Sequence, residues 1–265
     1  MMNRYGKGAA ILCIVLGVVL SIAVVCPGIE TENCDVADLT QPMGPGCPSF
    51  AIGETAVDDD TPGGIPERRI VFTYEPGLTE TTVLVSPRRW VEGGATLDEF
   101  PVSSLIAPVI VIDATDLSGE GGGYALDAGT IMRYETFAGE IPKGAAVLVA
   151  LMTDTSGTKP ESFAPPSVEY PGLAPDAVTF LVEKRHVSII GIDTPGIDPS
   201  ERGGNEAAMI LAESGGLALV NLTGVDSLPS RGGVLVMSHL AMDDADAAPA
   251  RALVLIPKAS APPEE

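Results

Sequence analysis

Few residues in this chain have the chemistry of a catalyst or a metal ligand, and their spacing narrows the options. There are two histidines, His186 and His239, so a three-histidine metal site cannot form within one chain. His186 follows Glu183, Lys184 and Arg185 at the end of a helical pattern, and His239 closes an apolar run. Both read as structural or surface residues. The four cysteines, Cys13, Cys26, Cys34 and Cys47, fall within the first 47 residues and show no CxxC or Cys/His zinc spacing. Two readings stay open there: a Cys34–Cys47 disulfide in an oxidising compartment, or Cys47 as a small core residue. Serine catalysis needs an oriented base, and neither a Ser/His pairing nor GxSxG is visible. Gly119–Gly123 lacks the Lys and Ser/Thr of a phosphate loop and reads as a turn. What remains is a set of carboxylates (Asp98, Glu99, Asp113, Asp193 and Asp198) and the run Arg88-Arg89-Trp90. An arginine fork binds a carboxylate well, and Trp90 would supply an apolar wall. The competing reading pairs Arg89 with a nearby acid such as Glu92.

The elements that must carry these residues are short. Apolar, Val/Ile-rich runs suggest strands at Ile70–Tyr74, Thr82–Ser86, Leu105–Asp113, Ala145–Met152, Val187–Asp193, Leu217–Leu222, Gly233–Ser238 and Ala252–Ile256. Two stretches read as helices. Pro175–Arg185 has Pro at its first turn and Val178, Leu181 and Val182 on one face. Asn205–Ser214 starts on a good cap residue and stops at Gly215-Gly216. A single α/β domain with more strand than helix follows, over residues 37–258. The 30 glycines and 23 prolines are scattered between the apolar runs, as in a turn-rich globular domain.

The ends differ from this domain. Residues 1–7 carry Arg4 and Lys7, and Gly8–Val25 then runs without a charge. At about 1.5 Å per residue this run just crosses a hydrocarbon core of about 30 Å. It exceeds the usual apolar region of a cleaved signal, and Ala23-Val24-Val25 lacks the small residue expected before a cut. Residues 8–26 are therefore expected to be an uncleaved transmembrane anchor. The two basic residues keep 1–7 in the cytoplasm and put the domain on the extracytoplasmic, periplasmic side. A polar linker spans 27–36, and the tail 259–265 reads as frayed. All 36 acidic residues follow residue 26, against 13 basic ones there. That surface repels nucleic acid and favours solubility or a basic partner.

Four segments in order resemble the cyclase family that includes kynurenine formamidase and isatin hydrolase. They are Asp38–Pro48 (DLTQPMGPGCP), Val91–Pro101 (VEGGATLDEFP), Tyr170–Ala177 (YPGLAPDA) with Gly191–Asp198 (GIDTPGID), and Asp244–Ala252 (DADAAPARA). GIDTP-x-x-D is the most specific. The resemblance covers about residues 35–257. It implies a cyclase-like swivelling β/α domain around a central barrel-like mixed sheet, often dimeric. It also implies a hydrolase in which zinc or manganese activates water against an amide or lactam carbonyl while a His moves the proton.

The same resemblance exposes what is missing. The family signature H-x-G-T-H-x-D-x-P-x-H falls on residues 79–89. Thr82 and Pro87 match it. The first His becomes Thr79, the second Val83, the Asp Val85, and the last His, the proton shuttle, Arg89. Counting back from Asn221-Leu222, a further Glu becomes Val220 and a helical His becomes Ala208. Valine offers a metal no donor. The expectation is a membrane-anchored pseudoenzyme with no cofactor or metal, serving as a binding module or accessory subunit with a protein partner or as a homodimer. The alternatives are an amide hydrolase using an unrecognised site, and a small-carboxylate sensor with Arg89, Trp90, Thr82 and Asp193 around its pocket.

Overall fold

The computed structural model describes residues 33–41, 50–56, 68–74, 81–118, 123–152 and 169–258. The apolar segment 8–26, Thr79, Cys47 and with it the Cys34–Cys47 pairing, most of Gly119–Gly123 and the tail 259–265 lie outside them. No helix among the described residues is long and apolar enough to cross a membrane. Val36–Ile256 forms one compact unit. In the terminal unit, the Lys258 amide donates to the Asn33 carbonyl at 2.8 Å.

The strands are β1 (Cys34–Asp38), β2 (Phe50–Ala56), β3 (Arg68–Tyr74), β4 (Val83–Val85), β5 (Ile106–Asp113), β6 (Ala125–Leu126), β7 (Ala146–Ala150), β8 (Gly172–Leu173), β9 (Ile189–Ile192), β10 (Leu217–Val220), β11 (Arg231–His239) and β12 (Ala247–Pro257). The helices are α1 (Thr115–Ser118), α2 (Ala128–Ala138), α3 (Pro175–Thr179), which runs into a π-helical turn over Phe180–Lys184, and α4 (Glu206–Glu213).

The strand order β12-β11-β5-β7-β9-β10-β4 returns to β12, so seven strands close into a barrel-like sheet, with β1 added beside β12. Strands β5, β7, β9 and β10 are parallel, β11 and β4 flank this run antiparallel to it, and β12 closes the sheet by pairing antiparallel with both β11 and β4. The parallel strands are continuous apolar runs because both faces are covered. One face fills the barrel with Leu84, Val109, Val111, Leu148, Leu219, Leu235 and Val254. The other packs Val83, Val85, Ile112, Val147, Ile190 and Val220 against helical residues such as Val178, Leu181 and Leu211. The interior is narrow at β9: a Cβ on Gly191 would come within 2.4 Å of the Leu148 side chain.

The mixed α/β architecture with a barrel-like sheet agrees with the expectation. Three details differ. Helix α2 is unannounced by its sequence, because Ile131 is its only fully buried residue and its other large apolar residues, Met132 and Phe137, are exposed rather than on one buried stripe. It begins on Asp127, whose carboxylate accepts the Thr130 amide at 2.7 Å. Strand β12 is longer than Ala252–Ile256, because Ala247–Pro249 pair with β4 before Ala250–Leu255 pair with β11. That switch of partner closes the barrel, and it is made by the DADAAPARA segment. Strand β1 occupies the last part of the stretch read as linker.

Candidate functional site

The positions aligned with the family's metal ligands come together between the barrel and its helical layer. Val83 and Val85 are on β4, and Val220 on β10 is the direct cross-strand partner of Val83. Ala208 is in the first turn of α4, which packs on β10 and on the 3-10 turn Pro87–Arg89. All four belong to the same helix-side cluster and are at most 2 % exposed. None has a lone pair to give a cation, and hard or borderline metals need N, O or S donors. Methyl groups close the space that ligands would need. Among the described residues, no three of His, Cys, Asp and Glu form a group that could hold a metal ion. The donor set at this position does not fit the family's metal.

The GIDTPGID segment builds the surroundings. Asp198 caps α4 from outside the helix: its carboxylate oxygens accept the Ala207 amide at 2.7 Å and the Ala208 amide at 3.0 Å. Asn205, expected to be the cap, makes no side-chain cap bond. Its backbone is not extended as a capping residue requires, and the Asp198 carboxylate already meets the free amides. Asp198→Ala is expected to cost about 1–2 kcal/mol, the loss of a helix cap, measured by urea denaturation. The YPGLAPDA segment is tied to the same place. A Cβ on Gly172 would sit 2.5 Å from the Pro199 nitrogen, which is why the two motifs occur together.

Among the described residues, Asp193 is the one strongly perturbed acid. It is buried at the end of β9, and its two oxygens accept the Leu151 amide at 3.0 and 2.9 Å and the Met152 amide at 2.9 Å. Burial raises its pKa to about 7 against the pull of these amides, with Asp226 adding a smaller push upward. Its role is to pin the end of β7 to the end of β9.

The other residues singled out in the sequence are placed as follows. Thr82 is fully buried, accepts the Gln41 amide at 2.7 Å and donates to the Asn221 carbonyl at 2.7 Å. Arg89 pairs with Asp246 at 3.1 Å rather than with Glu92. Asp246 is 157 residues away in sequence but lies in the DADAAPARA segment, whose backbone also receives the Ser86 amide. Trp90 packs against the helix-side cluster. The β4–β10 register puts Thr82 beyond the Val220 end of the ladder, the end from which Asp193 also emerges, and Arg89 and Trp90 beyond the Leu217 end. The four are thus divided between opposite ends of the strands. Asp98 accepts the Asp244 amide, Glu99 completes a capping box with Thr96, and Asp113 accepts the Thr115 amide and hydroxyl. His186 is exposed with φ 52°, and His239 contacts the Leu240 carbonyl at 2.6 Å.

Comparison with known proteins fits this geometry. Residues 37–199 match the Cyclase family. An isatin hydrolase of Roseibium aggregatum is 28% identical over 247 residues, covering 88% of this chain and 91% of that protein. Among solved structures, isatin hydrolase A from Labrenzia aggregata, bound to benzyl benzoate, superposes with a TM-score of 0.71 at 24% identity, covering 90% of this chain and all of that one. An isatin hydrolase bound to the product analogue thioisatinate gives 0.70 at 25%, covering 96% of this chain and 100% of its own.

Proposed function

The chain belongs to the Cyclase family, and from that premise we propose that it is a non-catalytic member, a hydrolase fold kept as a binding module or accessory subunit. One observation carries this reading: Val83, Val85, Ala208 and Val220 stand together, buried and apolar, where the family resemblance calls for ligands. These positions offer no donor through which a metal could activate water. The purified chain is expected to carry no stoichiometric zinc or manganese. Elemental analysis after dialysis checks this, and one metal per chain would overturn it.

The location follows from the N-terminus. Residues 8–26 are proposed as the anchor and the domain as extracytoplasmic, on the strength of the uncharged run and the Arg4/Lys7 bias. Protease added to intact spheroplasts should then digest the domain. A mature N-terminus near residues 26–30 would instead show cleavage. The acidic domain suits a basic protein partner. The second reading, hydrolysis of a cyclic amide such as isatin through another site, is favoured by the full-length similarity to isatin hydrolase. A carboxylate-sensing role for Arg89 would have to compete with its ion pair to Asp246.

A further inference from the structure

At the end of the barrel where β11 passes to β12, the connection is pinned to the segment before β5. The Leu97 amide donates to the Ala245 carbonyl at 2.9 Å, and the Asp244 amide donates to the Asp98 carboxylate at 3.1 Å. The 3-10 turn Val102–Leu105 packs on β11. The apolar residues of these two segments divide sharply. Phe100, Leu105, Met242 and Ala245 pack against the cluster that fills the barrel. Val102 and Leu240 turn outward and are 77 % and 75 % exposed. The ladder pairs Val236 with Ile106, so Leu240 and Val102 leave it side by side, with exposed Ile106 next to them. A single exposed leucine needs no explanation. Three aliphatic side chains grouped on a frame fixed by hydrogen bonds mark an interaction site.

The charge around this patch is one-sided. Asp98, Glu99, Asp243 and Asp244 are exposed on the same two segments. Among the described residues, none of the four takes part in an ion pair. No Lys or Arg occurs in residues 91–132 or 232–250. The arginines that approach this end, Arg89 and Arg251, are already held by Asp246 and Asp38. An aliphatic centre with an acidic rim repels nucleic acid and anionic lipid alike. It matches a basic amphipathic segment, whose apolar side chains meet the centre while its Lys or Arg groups reach the rim.

We propose that this end of the barrel, with Val102, Leu240 and Ile106 at its centre, docks a basic amphipathic segment of a partner protein. Burial of the aliphatic centre supplies affinity, and the rim supplies orientation and association rate. The surface serves the domain as a binding module, the reading on which it rests, and hydrolysis and metal content test that reading separately.

The test uses the full-length chain in mild detergent at physiological ionic strength, with a fluorescent synthetic peptide whose Leu residues recur at helical spacing among Lys. The expected result is saturable binding by anisotropy, with a scrambled peptide of equal composition at least tenfold weaker. Val102→Ser with Leu240→Ser should weaken binding at least tenfold and leave the circular dichroism unchanged, since both side chains are exposed. Asp243→Asn with Asp244→Asn should weaken it and flatten its salt dependence. Asparagine also tolerates the positive φ of Asp244. Asp116→Asn with Glu213→Gln removes the same charge from α1 and α4 and should change binding little. Equal binding of both peptides, or equal loss from either charge pair, would show attraction to net charge alone and overturn the proposal. So would loss of peptide binding once the chain is reconstituted in phosphatidylcholine vesicles, which would put the patch on lipid. A chain that neither hydrolyses isatin nor binds the peptide refutes this surface and leaves the non-catalytic reading standing.

Discussion

Isatin and N-formylkynurenine should be hydrolysed by this protein no faster than by buffer, with or without added zinc or manganese. Losing a metal-bound nucleophile removes both water activation and carbonyl polarisation, each worth roughly several kcal/mol. Losing the proton shuttle removes a further factor of about 10²–10⁴. Arg89 cannot act as that shuttle, since a guanidinium stays protonated and this one is paired with Asp246. Thr82 cannot act as a nucleophile, since its hydroxyl is buried between Gln41 and Asn221 with no base beside it. Returning one ligand should also fail. Thr79→His with Val83→His and Val85→Asp is the smallest set that could rebuild the first cluster, and it still lacks donors at Ala208 and Val220. Placing polar groups at Val83 and Val85, both 0 % exposed, should itself destabilise the barrel. A steady hydrolysis rate that survives chelator and repeated purification would overturn the non-catalytic reading.

Stability should rise as pH falls from about 7 towards 4, opposite to the usual carboxylate behaviour. The cause is Asp193. Its folded pKa of about 7 exceeds the ordinary value of 3.8, so the folded state binds the proton more tightly than the unfolded chain. Stability from this group is fully present below the unfolded pKa and is lost as pH rises through the folded one. Below about pH 4.5 the slope reverses. Glu135, held low mainly by Arg185, and Asp127, held low by the Thr130 amide, then lose their contribution as they are protonated. General charge repulsion in so acidic a chain also relaxes on acidification, and Asp193→Asn separates the two effects. The variant aims an amide group at the Leu151 and Met152 amides and should cost about 1–3 kcal/mol at pH 5. Its deficit should shrink towards pH 8, where the wild-type carboxylate is charged and buried. Urea unfolding at both pH values measures this, and an equal deficit at both would refute the assignment.

The sequence by itself determined the parts of this protein governed by local pattern. Continuous Val/Ile runs identified the strands β5, β7, β9 and β10, because a strand buried on both faces must be apolar throughout. The ordered motifs identified the family, and the resemblance to its signature put valine at 83 and 85 where that signature has His and Asp. Helix α2 was not legible, because a helix that buries little beyond Ile131 carries almost no periodic signal. Only the tertiary structure decided what depends on residues far apart in the chain. It chose Asp246 over Glu92 as the partner of Arg89, and Asp198 over Asn205 as the cap of α4. It brought Ala208 and Val220 into one cluster with Val83 and Val85, and it divided Thr82 and Asp193 from Arg89 and Trp90 along the β4–β10 ladder. These outcomes follow from strand register and barrel closure, in which β12 passes from β4 to β11. Such long-range pairings are selected by packing over the whole sheet and leave no mark in the spacing of neighbouring residues.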